Sequence, residues 1–342
     1  MDFEPVLRAF AVQQYLQKKK LDNLMIEYKP ESAKNYDVRH PLFSCVDHPV
    51  QDRRKQSARL KKWKRLFYDR ERRYDKIQDF LSQKCEKADI CYEAKAIRQA
   101  KPDADCYIVL RENPDENEII TGLPKEVFLI GYDAGGANAR LNRHTALSPL
   151  FLFDSRFYSG ISVKPEKTGY VLLYMTGKYD AKLAAAAVKF AGEHSLDLIE
   201  LSEYRYDTVR RDDQKHPVLY DIGIEEWLGY MLNAGYIFTN SADGCALSIV
   251  FDKCFFAWKD ASGKVERMMS EIGLSNRILS DLKETVNLCS DPDREAAEAV
   301  LREARMKAGN FLDSSLRKAH GAHVLLMIKR RYWRLRKNLG LK

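Results

Sequence analysis

Apolar positions recur along this chain at two alternating periods, and the alternation predicts an α/β fold. Residues 5–20 place Leu7, Phe10, Ala11, Gln14 and Tyr15 at spacings of three and four, one face of a helix. Residues 24–28 follow as a short strand that ends before Pro30, and residues 31–56 are irregular and polar. A long charged helix is expected over residues 57–88, with an apolar stripe at Leu60, Trp63, Leu66, Phe67, Tyr74, Ile77 and Leu81. Residues 105–110 and 127–132 read as strands, the second leading into a glycine-rich turn at residues 133–137. From Gly169 the pattern is regular: strand 170–175, alanine-rich helix 180–193 and strand 196–201 make one βαβ unit. Residues 223–258 then read as helix, strand, tight turn, helix, strand. The first helix has Ile224, Trp227, Leu228 and Met231 on one face, and Gly235 stops it. Residues 236–239 are a short apolar strand, Asn240, Ser241, Asp243 and Gly244 are turn and cap residues, and a second apolar helix starts at Cys245. Residues 265–282 supply further helix. Strands alternating with helices of this length imply a parallel, doubly wound sheet with right-handed crossovers.

Composition narrows the class. At 342 residues the chain has room for two domains with buried cores, and 45% hydrophobic content excludes a disordered protein. No apolar run approaches the ~20 residues of a membrane span. The N-terminus lacks a secretory signal, and the seven cysteines form no CxxC pair. The expectation is therefore a reducing cytoplasm, with the cysteines serving as small apolar side chains. The net charge of +8 is unevenly spread: residues 52–76 hold twelve basic against four acidic residues, and the last fourteen hold seven basic and no acidic residue. Such patches suit polyanions. The C-terminal stripe Leu325, Ile328, Tyr332, Leu335 and Leu339, flanked by Lys and Arg, either lies on the inner, anionic face of a membrane or packs on the protein with its basic side in water. No nucleic-acid reading motif accompanies the charge, so nucleic acid is not the expected partner.

The stretch from Gly223 to Phe255 also resembles a family. Polysaccharide pyruvyl transferases carry a block G-x-E-E-(W/F)-L, an apolar strand, T-(D/N)-S-F-H-G, and an apolar helix leading to K-x-F. The matching residues are Gly223, Glu225, Glu226, Trp227 and Leu228, then Thr239, Asn240, Ser241 and Gly244, then Ser248, Ile249, Phe251, Lys253 and Phe255. The N-terminal VLRAFAVQQYLQKKKLDNLMIEYKP is similar to the family's opening L-Q-A-Y-A-L-Q-x-Y-L helix and I-D-Y-x-P strand. Residues 105–110 resemble its D-x-Y-I-V strand, and residues 151–157 the stretch leading into its second domain. The chain departs from the pattern in four places. Asp2-Phe3-Glu4 replaces an N-Y-G loop and its preceding strand, residues 111–115 replace G-S-D-Q, an I-S-V-R-E section is absent, and Ala242-Asp243 replaces Phe-His. The resemblance, over roughly two-thirds of the chain, implies two Rossmann-like doubly wound domains in a GT-B-like arrangement with a C-terminal helical extension. The expected units are a shortened first domain with a basic helical insertion over 1–160, a second domain carrying the TNSADG loop over 161–290, and a basic helical extension over 291–342.

The activity so implied is a ketal-pyruvyl transfer. An enolpyruvyl unit passes from phosphoenolpyruvate, a donor substrate and not a cofactor, to two hydroxyls of a sugar in a surface or exopolysaccharide. The acceptor would be a glycan or lipid-linked oligosaccharide. The reaction needs donors for phosphate and carboxylate, a general acid for the methylene carbon, and stabilisation of an oxocarbenium-like centre. Thr239, Asn240, Ser241 and the amides from Gly244 onward are placed to hold an anion across an open crevice at a helix N-terminus. Asp243 stands where the family has histidine; it either acts as the acid with a raised pKa, in a form with impaired activity, or caps the following helix. A carboxylate beside a bound polyanion costs roughly 1 kcal/mol at ~4 Å in water. Arg8 either adds a cation to the cleft or is an exposed helix residue. Glu225 and Glu226 either face the cleft or favour the helix dipole. Gly135-Gly136 is a phosphate nest or a plain turn, and His320 with His323 has no acidic third ligand, so no metal is expected. The alternative function is a non-catalytic relative that binds a sugar phosphate or a partner in polysaccharide assembly.

Overall fold

The computed structural model describes residues 3–29, 53–89, 91–93, 104, 106–110, 128–131, 141–142, 147–177, 179–202, 216–260, 262–279 and 294–338. For residues 29, 53–68, 92–93, 128–131, 141–142, 202, 294–297 and 322–338 it describes the backbone alone.

The chain opens with α1 (Phe3–Lys18), then β1 (Tyr28–Lys29), α2 (Arg53–Lys84) and β2 (Tyr92–Glu93). β1 and β2 pair in parallel, and of the strand expected over 24–28 only a bridge from Met25 to Lys87 and the first residue of β1 form. α1 and α2 run side by side in the same direction. The Arg73 guanidinium lies 3.9 Å from the Phe3 ring centroid, and Phe10 meets Phe80 edge-on at 5.2 Å. Gln13 closes the pair by bonding both the carbonyl and the amide of Glu86. β3 (Cys106–Val109), β4 (Phe128–Gly131) and β5 (Leu141–Asn142) form a second parallel sheet. A 3-10 turn (Pro149–Leu152) and α3 (Ser155–Ser159) follow.

The largest sheet is built from β6 (Val171–Met175), β7 (Leu198–Ser202), β8 (Val218–Leu219), β9 (Tyr236–Thr239), β10 (Cys254–Trp258) and β11 (Ile278–Leu279). Its order is β11-β10-β9-β6-β7-β8, and all pairs are parallel. This is the doubly wound order. The helices between are α4 (Ala181–Glu193), α5 (Ile224–Asn233), α6 (Ala242–Val250) and α7 (Lys264–Glu271). Every residue of β6 is buried because both faces of the sheet are covered. On one face Val171, Leu173, Met175, Phe238 and Phe256 meet Leu183, Ala187 and Phe190 of α4. The alanines of α4 let its backbone approach, and each large apolar side chain buried there contributes about 1.5–3 kcal/mol. The opposite face, with Leu172, Tyr174 and Ile237, packs under α5 and α6.

Two further elements differ from the sequence expectation. The helix expected over 265–282 ends with Glu271. Gly273 adopts a left-handed φ of 76°, and the Leu274 amide returns to the Met269 carbonyl at 2.8 Å. That arrangement closes a helix and permits the 3-10 turn Ser275–Arg277 and β11 to follow. α6 starts at Ala242, not Cys245, because Ser241 supplies the cap.

The last element, α8 (Arg294–Asn338), is one helix of 45 residues. Ala304, Ala308, Phe311 and Leu312 sink into the same hydrophobic core as α1, α2, β6, α5, α6 and α7. Lys307 donates to the Glu271 carbonyl, and Asp313 accepts from Tyr15 of α1 and pairs with Lys19 just beyond it. This half of the helix thus packs into that core. The stripe at Leu325, Ile328, Tyr332 and Leu335 falls where only the backbone is described, and Leu339 lies outside the described residues. Among the described residues no helix is long and apolar enough to cross a membrane. Cys85, Cys91, Cys106 and Cys245 are outside any disulfide, whereas Cys254 is disulfide-bonded.

Candidate functional site

In a doubly wound sheet the chain leaves adjacent strands in opposite directions at one place, and ligands gather above it. Here that place lies between β6 and β9, whose residues Tyr174 and Thr239 are paired neighbours. Asn240 spans the two departing loops. Its Oδ1 accepts from the Thr176 amide at 2.9 Å, and its Nδ2 donates to the Thr176 carbonyl at 3.1 Å. The side-chain amide expected to meet a ligand therefore stitches the two loops together.

The next residues build the start of α6. Thr239 is fully buried, and its hydroxyl accepts from the Ser241 amide at 3.0 Å. Ser241 caps the helix by accepting from the Gly244 amide at 2.8 Å. A Cβ on Gly244 would stand 2.7 Å from Thr239 Oγ1 and 2.9 Å from Tyr174 Cδ1, so this corner admits glycine alone without rearrangement. The Ser241 hydroxyl donates to Glu4 Oε1, in the first turn of α1, and the Tyr174 hydroxyl donates to the same oxygen at 3.0 Å. A carboxylate of the chain thus faces the helix end where an exogenous anion was expected, a favourable place for negative charge.

Asp243 lies one position further into α6 and does not cap it. Asp243 and Arg8 are both buried, with Arg8 Nε 3.2 Å from Asp243 Oδ2. That nitrogen falls off the line of a good hydrogen bond, so the attraction here is chiefly that of opposite charges in a poorly solvated place. The other oxygen, Oδ1, accepts from the Ser148 hydroxyl. Arg8 is therefore neither an exposed helix residue nor a cation turned toward open space. Burial pushes the Tyr158 phenol well up, and the nearby Asp243 carboxylate adds to the rise. Burial also pushes the Cys245 thiol up, reinforced by Glu4 and Asp243, so it offers no thiolate nucleophile at neutral pH.

Glu225 and Glu226 serve another junction. Glu226 reaches back to the Gly223 amide at 2.6 Å and holds Lys76 of α2 at 2.7 and 2.8 Å. Glu225 lies 4.0 Å from Lys84 of the same helix. Both carboxylates dock α2 onto the start of α5. His320 is exposed, the His323 side chain is outside the described residues, and so is Gly135-Gly136. Among the described residues no group of three metal-ligating side chains comes together.

The structure gathers Arg8, Thr239, Asn240, Ser241, Asp243 and Gly244 at one corner and leaves Glu225 and Glu226 apart. Sequence reasoning missed Glu4, Ser148 and Tyr174. A serine before a proline signals a turn, but nothing local announces that Ser148 meets a residue 95 positions away. Thr239, Ser241, Asp243 and Arg8 are buried, and Asn240 and Ser241 are hydrogen-bonded within the chain.

No protein-family model matches this chain, and no curated protein matches it. Among solved structures it is similar to UDP-GlcNAc 2-epimerase of Methanocaldococcus jannaschii in complex with UDP-GlcNAc and UDP. The TM-score is 0.47 and the identity 10%, over 87% of this chain and 95% of that one. A likeness so distant assigns neither substrate nor reaction.

Proposed function

We propose that this chain is a polysaccharide pyruvyl transferase-like protein of two-lobed, GT-B-like build that binds a phosphorylated sugar and does not itself form the pyruvyl ketal. The observation that carries the reading is the state of Asp243. A general acid at that position needs a proton to give and a path to the substrate carbon. Asp243 instead pairs with buried Arg8 through one oxygen and accepts from the Ser148 hydroxyl through the other, so both oxygens are engaged within the chain. Binding is supported by the doubly wound strand order, which favours a ligand above β6 and β9, and by the capped start of α6, which favours an anion. The net charge of +8 supports an anionic ligand in the same direction.

The test has two arms. Phosphate release from phosphoenolpyruvate with acceptor glycans is expected to stay at the background rate. Isothermal calorimetry with a sugar 1-phosphate and a nucleoside-diphosphate sugar is expected to show saturable binding to one of them. Turnover of phosphoenolpyruvate that Asp243→Ala abolishes would replace this reading with the active transferase. Absence of binding to every phosphorylated sugar, together with tight salt-sensitive binding to RNA or DNA, would replace it with a polyanion-binding role.

A further inference from the structure

The amino-acid order leaves two places for the apolar stripe near the C-terminus, and the register of α8 separates them. α8 is one unbroken helix over Arg294–Asn338, so residues 18 apart, five turns at about 3.6 residues each, share one side of it. In its first half Ala304, Ala308, Phe311, Leu312, Ser315 and Ala319 are buried and mark the side that meets the body. Eighteen residues on from these stand Ala322, Leu326, Lys329, Arg330, Trp333 and Lys337. The core-facing side thus turns basic. On another side of the first half, Asn310 and Arg317 are exposed, while Lys307 and Ser314 are half-buried. Eighteen residues on from Lys307, Asn310, Ser314 and Arg317 stand Leu325, Ile328, Tyr332 and Leu335, the stripe itself. A helix that kept the facing of its first half would bury Lys329, Arg330 and Lys337 and leave the stripe uncovered, a costly arrangement for a helix packed on the protein.

We propose that the C-terminal half of α8 is a docking helix for an anionic lipid surface, with its apolar stripe against the acyl chains and its cations among the headgroups. After Asp313 the helix carries eight basic residues and no acidic one, a sign that matches phosphate headgroups. By register, Lys329 and Arg336 border the stripe on one flank, each four residues after Leu325 or Tyr332, and Arg331 borders it on the other, four before Leu335. Long cationic side chains at such borders bury their methylene stems beside apolar surface while their charged ends stay at headgroup level. A second copy of this helix would bring like charges together, so self-association through it is disfavoured. A nucleic acid would use the cations but has no use for an apolar band between them. The first half roots the device in the fold: Lys307 bonds the last residue of α7, and Asp313 holds Tyr15 and Lys19.

Vesicle sedimentation with the full chain tests this, using phosphatidylcholine alone and phosphatidylcholine with about a third phosphatidylglycerol. Binding to the mixed vesicles is expected to be roughly tenfold stronger or more, and to weaken as salt rises. The double variant Ile328→Ser with Leu335→Ser is expected to lower that binding by roughly tenfold. Its melting temperature is expected to stay within about 2 °C of wild type, because the register sets both positions away from the core-facing side. Arg331→Gln with Arg334→Gln, which leaves the stripe intact, is expected to weaken binding to the mixed vesicles by roughly fivefold. A fall of many degrees in the melting of the serine variant would place the stripe inside the fold and overturn the proposal. Equal binding to both kinds of vesicle would overturn it as well. So would binding to neither, with or without tight binding to RNA, or a dimer that the serine variant dissolves.

Discussion

The turn from β9 into α6 and the turn from β10 into α7 leave neighbouring strands of one sheet, but they recruit their partners from different distances along the chain. At the first, Ser241 and Asp243 are met by Glu4, Arg8 and Ser148, between 95 and 237 positions away. At the second, Asp260 bonds the amide and hydroxyl of Ser262 and the amide of Val265, all within five residues. The first turn is buried and its charges are neutralised by tertiary structure. The second is partly exposed and satisfies itself. A self-contained cap holds one turn; a cap assembled from three segments holds those segments to each other.

Breaking the two turns should therefore give unequal effects. Asp243→Ala leaves the buried Arg8 guanidinium without its carboxylate, and a loss of about 3–5 kcal/mol in urea unfolding is expected. A loss under 1 kcal/mol would show that the pair is solvated and that α1 is not anchored there. Gly244→Ala drives a methyl group toward Thr239 and Tyr174 and is expected to lower stability by about 1–3 kcal/mol. Asp260→Asn weakens only local bonds, with an expected loss of about 1 kcal/mol at neutral pH.

The last variant also carries a pH signature. Burial pushes the Asp260 carboxyl up, but hydrogen bonds from the Ser262 hydroxyl and the amides of Val265, Ser262 and Lys264 outweigh it and hold the group below its ordinary value of 3.8. A depressed carboxyl contributes stability that is complete above that ordinary value and is lost as pH falls through the folded one. The stability gap between wild type and Asp260→Asn should accordingly be full at pH 7 and close below about pH 4. A gap that stays constant down to pH 2 would show that the carboxylate charge is irrelevant to this turn.

The same contrast explains what could be read in the amino-acid order. The βαβ unit around α4 was legible because its information is local: continuous apolar strands, an alanine-rich helix and the Asp180 cap that bonds Lys182 and Leu183. The strand at Tyr236–Thr239 was equally clear. The shortened α7 was not, since an apolar run past Gly273 fits a helix and a turn followed by an edge strand alike. At the site, Thr239, Asn240, Ser241, Asp243 and Gly244 were found as turn chemistry, but their bonding was not. Whether a serine hydroxyl faces a ligand or the chain's own Glu4 depends on where α1 lands, and no local period encodes that. Glu225 and Glu226 were similarly visible as acidic residues at a helix start, while Lys76 and Lys84, their partners, lie far upstream.

The meeting of α1 with α8 has a consequence for synthesis. Tyr15 waits for Asp313, 298 residues later in the chain, and ribosomes add roughly 5–20 residues per second. For some 15 to 60 seconds, on that rate, the nascent polypeptide lacks the helix whose Ala304, Ala308, Phe311 and Leu312 complete the core. Such a chain is a client for holding chaperones until its final helix emerges, and truncations near Phe311 should aggregate in the cell even though the parallel sheet is already complete.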